Sequence, residues 1–144
     1  DIGVFGHGYT YTGHPVSCAV ALKTLEIYER DKTSEHAKKV GEYFQNSMKD
    51  ILKEDYVGEV RGIGLIAGIE LYKDPSNKIP FEEAGKAGKI LSDTCQKNGL
   101  IVRPILDTIA LCPPLIISEK EVDELTDKLK KSLQEAKDEI MKIH

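Results

Sequence analysis

VGEVRGIGLIAGIELYKD, residues 57–74, decides the fold. Val57, Val60, Ile63, Leu65, Ile66, Ile69 and Leu71 make the run dense in β-formers, and Gly62 and Gly64 suggest a turn that divides it into two strands. A hairpin here sets the character of everything on either side. Upstream, Ala37, Val40, Phe44, Met48 and Ile51 recur at helical spacing with Lys and Glu opposite, the pattern of a surface helix. Before that, PVSCAVALKTLEIYER (Pro15 to Arg30) spreads its apolar residues over more than one stripe, so that helix calls for burial on two sides, and Asp31 to Ser34 breaks the pattern. Downstream, PSNKIP is a loop, and Ala84, Ala87, Leu91 and Cys95 mark a third helix closed by Asn98 and Gly99. LIVRPI and TIALCPP then read as short strands flanking a turn at Leu106 and Asp107, with Pro113 and Pro114 ending the second. Ser118 and Glu121 form a capping-box signature ahead of a long amphipathic helix through Ile140. Strands grouped beside helices, without strict alternation, predict an α+β fold in which an antiparallel sheet is covered by helices.

The chain has 144 residues, 40% of them hydrophobic and 31% charged, enough for one compact core. Its formal net charge is -4, with acids and bases interspersed, so neither a nucleic-acid stripe nor an anionic membrane surface is indicated. Cys18, Cys95 and Cys112 lack the spacing of a disulfide framework or a zinc site, which fits a reducing compartment; cytoplasmic localisation is the expectation. No targeting peptide or transmembrane run is visible.

HGYTYTGHP, His7 to Pro15, places hydroxyls among glycines ahead of a helix whose first residue is Pro15. Backbone N–H groups and the helix dipole favour an anion there, and phosphate suits the two threonine hydroxyls. The plain alternative is a glycine-rich turn that caps a helix. The resemblance to a triphosphatase P-loop stops at the spacing of its outer glycines, because His14 and Pro15 stand where Lys and Ser or Thr would be needed, which argues against triphosphatase activity. His7 and His14 have no third ligand nearby in sequence, so a metal role is discounted for both. Arg103 lies in an otherwise apolar strand, where a guanidinium seeks a carboxylate; an intramolecular ion pair is the plain alternative, and Arg61 is read in the same way as a hairpin-turn cation.

HGYTYTGHPVSCAVALKTLE resembles a segment of the class III aminotransferases, the pyridoxal-phosphate enzymes of fold type I that include the ω-aminotransferases. VRGIGLIAGIEL resembles the family's glycine-bearing hairpin, GLIVRPILDTIALCPPLIIS its Arg-containing strand pair, and EVDELTDKLKKSL its closing helix. The match runs end to end and in order. It implies that residues 1–15 end the large cofactor domain, 16–31 form a connecting helix, and 32–144 form the small C-terminal domain.

By the same resemblance Thr10 binds the phosphate of pyridoxal 5'-phosphate held by the neighbouring subunit of a homodimer with a shared active site, and Tyr9 is the aromatic beside it. Arg103 matches the Arg that binds the substrate carboxylate in many members, a task suited to a planar fork. The family often has Gly then Asp in the following turn, whereas this chain has Leu106 and Asp107. The Schiff-base Lys and the acid at the pyridine nitrogen precede the matching segment in the family, and no lysine here occupies that context. The implied function is the C-terminal part of an aminotransferase that exchanges an amino group between an amine or amino acid and a keto acid, inactive alone. The competing expectation is a non-catalytic binding or interaction module that retains the small-domain fold.

Overall fold

The computed structural model describes residues 3, 6 and 8–143. It divides into two units, Asp1–Thr33 and Ser34–His144. The first contains α1, Pro15–Arg30, with Pro15 in its opening turn and Arg30 in its last. None of its residues is buried, although its pattern calls for burial on two sides. A left-handed residue, Lys32 at φ 49°, ends the break between helices, so α2 starts at Thr33, inside the stretch that reads as the interruption.

Ser34–His144 contains the rest of α2 (Thr33–Met48), a 3-10 turn (Lys49–Lys53), β1 (Val57–Ile63), β2 (Ile66–Leu71), α3 (Lys86–Lys97), β3 (Arg103–Ile105), β4 (Thr108–Leu111) and α4 (Glu119–Ile140). The four strands form one antiparallel sheet in the order β1-β2-β4-β3. Alternation along the strands separates two faces. Ala67, Ile69, Leu71, Ile109 and Leu111 are buried and join a single core with Val40, Phe44 and Met48 of α2, Leu91 and Cys95 of α3, and Val122, Leu129 and Leu133 of α4. Tyr56 is fully buried among them and donates its hydroxyl to the Leu133 carbonyl at 2.6 Å. The expected helix-covered sheet is therefore present. No helix among the described residues is long and apolar enough to cross a membrane.

Several boundaries differ from the periodicity. Ile51 belongs to the 3-10 turn rather than to α2, and the first hairpin turns at Gly64, φ 55°, with Gly62 inside β1. Gly85, at φ 84°, excludes Ala84 from α3. β3 is three residues rather than six because the end of α3 takes up the chain before it: Gly99 adopts φ 76° and the Leu100 N–H donates to the Cys95 carbonyl at 2.9 Å, a Schellman closure. The capping box at α4 forms as the spacing predicts, with the Ser118 hydroxyl accepting from the Glu121 N–H and the Glu121 side chain reaching back.

Candidate functional site

Tyr9 and Thr10 lie in the N-terminal unit and Arg103 in the C-terminal one, so each is described where it stands. Residues 10–13 form a turn in which the Thr12 N–H donates to the Tyr9 carbonyl at 3.1 Å. The Thr12 hydroxyl donates to the same carbonyl. Thr12 is thus committed to the backbone, whereas the exposed Thr10 hydroxyl has no partner among the described residues. Of the two threonines, Thr10 is the one able to bond outward. Tyr9 exposes 61% of its surface beside it. The first turn of α1 carries no acid, and the first acid after Asp1 is Glu26. Neutral hydroxyl donors ahead of a helix N-terminus, with no carboxylate among them, suit a phosphate. His14 takes the N-cap position of α1 without a side-chain cap bond, and His7 lies outside the described residues. No cluster of metal-ligating side chains occurs among the described residues.

Arg103 opens β3 on the sheet face away from the core. Register places it beside Ala110, Ala110 beside Gly68, and Gly68 beside Arg61, so one transverse row reads Arg61, Gly68, Ala110, Arg103. Across three strand gaps the two arginine Cα atoms stand about 14 Å apart. Nothing taller than a methyl group rises between them. The two guanidiniums have different fates.

Arg61 lies within the strand rather than at the turn, and pairs with Glu70 at 2.7 Å and Glu59 at 3.6 Å. Tyr72 donates its hydroxyl to the same Glu70 carboxylate at 2.8 Å. That hydrogen bond, with the Arg61 guanidinium, holds the Glu70 carboxyl below its ordinary value against the opposing effect of burial. Arg103 has no carboxylate within 4.0 Å among the described residues, so the ion pair considered for it does not form among them. An exposed, uncommitted guanidinium remains on the open face.

The turn that follows is built around Asp107. Leu106 takes φ 52°, the left-handed conformation for which glycine is usual, and the Asp107 carboxylate accepts from the Gly85 N–H at 2.8 Å and the Gly88 N–H at 3.1 Å. Gly85 is the N-cap of α3 and has no side chain to cap it, so Asp107 supplies that cap from across the fold. Its carbonyl also accepts from the Leu71 N–H at 3.0 Å. A Cβ on Gly88 would lie 2.0 Å from the Leu106 carbonyl oxygen, which is why a glycine stands there. In sequence Asp107 reads only as a turn residue. The pairing of Gly85 and Gly88, at the spacing of an N-cap and its third helical residue, is the signal that a cap must come from elsewhere.

The four-stranded antiparallel sheet backed by helices is shared with solved transaminase structures. A solved structure of a thermostable ω-transaminase six-fold mutant from Pseudomonas jessenii superposes with a TM-score of 0.87 at 37% identity, covering 96% of this chain and 31% of that one. The ω-transaminase of Pseudomonas jessenii in complex with PMP gives 0.86 at 37% identity, covering 96% and 30%. The model of the family "Aminotransferase class-III" matches residues 2–133, and the chain belongs to that family. It is 39% identical over 142 residues to a probable gamma-aminobutyrate transaminase 3, mitochondrial, of Oryza sativa subsp. indica. That alignment covers 99% of this chain and 28% of the relative, so the chain spans less than a third of the protein it matches.

Proposed function

We propose that the chain is the C-terminal portion of a pyridoxal 5'-phosphate-dependent aminotransferase that moves an amino group between an amine or amino acid and a keto acid. It works as a homodimer in which each active site draws on both chains. The observation that carries this reading is Arg103: an exposed guanidinium without a carboxylate partner among the described residues, beside a lane of small residues, in a chain of this family. The family's cofactor, when bound, supplies the electron sink for the exchange. The residues of this chain bind and orient. Thr10 donates its hydroxyl to a phosphate oxygen, with Tyr9 at its side, and Arg103 grips a substrate carboxylate in a two-point fork that fixes the orientation of the amino-bearing carbon. The Lys and the pyridine-nitrogen acid belong to the part of the protein that precedes the matching segment. Support for a carboxylate-bearing donor comes from the relative's name, which specifies gamma-aminobutyrate.

The test is a pair of single-turnover half-reactions in the full-length protein, one with an amino acid and one with a plain amine. Arg103→Lys keeps the charge without the fork and Arg103→Ala removes both, so the amino-acid reaction should weaken in that order while the plain amine reacts nearly normally. Equal losses for both donors with a lowered melting temperature would return Arg103 to a structural role. Thr10→Ala should weaken cofactor binding by about 1.5–3 kcal/mol, the cost of one hydrogen bond to a charged group. Unchanged cofactor titration with an intact dimer would remove Thr10 from the site.

A further inference from the structure

Arg103 poses a positioning problem. β3 has only three residues, all exposed, and its ladder is the single one to β4. No side-chain partner among the described residues restrains the guanidinium. A fork that must meet a planar carboxylate loses effectiveness with small displacements, so the backbone beneath Arg103 has to be held by something else. The Asp107 cap is the polar anchor available. Both carboxylate oxygens hold the start of α3, at 2.8 and 3.1 Å, while the carbonyl of the same residue accepts from the end of β2 at 3.0 Å. One residue therefore ties the β3–β4 turn to the helix behind the sheet and to the central strand beside it. Closeness at Gly88 makes the fit unforgiving: with the Leu106 carbonyl 2.0 Å from where a Cβ would be, the turn sits directly on the helix backbone.

We infer that Asp107 is the positioning residue for Arg103, holding the β3–β4 turn on the N-terminus of α3 so that the guanidinium meets a substrate carboxylate in register. The inference rests on Arg103 binding that carboxylate. Asp107 touches neither substrate nor cofactor in this role and acts only through the strand pair.

Two variants test it in the full-length protein. Asp107→Asn keeps one acceptor oxygen and Asp107→Ala keeps none, so KM for a carboxylate-bearing donor should rise in that order, by about ten-fold to a hundred-fold for Ala. KM for a plain amine and kcat should move far less. Equal losses for both donors would make Asp107 a structural cap only and overturn the inference. A second measurement, on the full-length protein, keeps the result interpretable if Asp107→Ala fails to fold. Backbone and Nε order parameters of Arg103 should fall in Asp107→Asn while those in α2 stay unchanged. Unaltered order parameters at Arg103 in a folded Asp107→Asn chain overturn the inference whatever the kinetics. An Arg103→Ala enzyme that shows no donor selectivity overturns the carboxylate role of Arg103 and the inference that rests on it, whereas a selective Arg103→Ala enzyme with unaltered order parameters in Asp107→Asn overturns the inference alone.

Discussion

Leu106 is held left-handed at φ 52° with 68% of its surface exposed, so it bears a backbone penalty with little burial in return. The penalty for a side chain in that conformation is about 1–2 kcal/mol. Glycine would remove it, at a cost of about 0.4–1 kcal/mol in extra unfolded-state freedom. Leu106→Gly should therefore stabilise the chain by about 0.5–1 kcal/mol, read as a raised melting temperature, with the Asp107 bonds retained. A lowered melting temperature would mean that the Leu106 side chain contributes packing that its exposure hides. The same residue shows what was legible in the sequence. A turn at Leu106 and Asp107 follows from its position between two apolar runs, and so does its departure from the family's usual Gly. That the backbone keeps the glycine conformation regardless depends on the Asp107 cap, a contact between residues 19 and 22 positions apart, which no local pattern contains.

At the scale of elements, each α-helix and strand was legible and the boundary errors lie at ends, whereas the burial that the α1 pattern calls for is absent and Arg61 stands inside β1 rather than at its turn. Apolar periodicity marks where an element can be, whereas hydrogen bonds at its ends decide where it stops. Leu100 is apolar enough for a strand and is claimed by the closure of α3 instead. Ile51 continues the apolar stripe of α2 and is buried as that stripe requires, yet sits on a tighter turn. The β1–β2 pair adds a cross-strand network that sequence does not disclose, because Arg61, Glu70 and Tyr72 meet only once the register is set. Its pH dependence has a definite sign. Glu70 has a lowered folded-state value, so its contribution is complete above the ordinary carboxylate value of 4.5 and is lost as pH falls through the folded value. At about pH 6 the parent should exceed Glu70→Gln by less than about 1 kcal/mol, since Arg61 exposes half of its side chain and solvent screens the pair. The gap should close on acidification below 4.5. A gap that persists at low pH would assign the effect to packing rather than to charge.

At the scale of the whole molecule, every member of the core lies between Val40 and Ile143. Residues 34–144 should consequently fold without residues 1–33, giving a cooperative thermal transition within roughly 5 °C of the parent. A chain beginning at Ser34 that stays unfolded would show that the N-terminal unit contributes to the core. The sheet order has a further consequence, for encounters between copies. A sheet with open edges invites strands from other molecules, and here both edges are blunted. On one side, β1 carries a register shift between Val57 and Glu59 and bears Glu59 and Arg61. On the other, β3 is three residues long and has Pro104, which lacks an N–H to offer, at its centre. Lateral growth into fibrils is disfavoured at both borders, which leaves faces and helices as the easier surfaces for copies to meet.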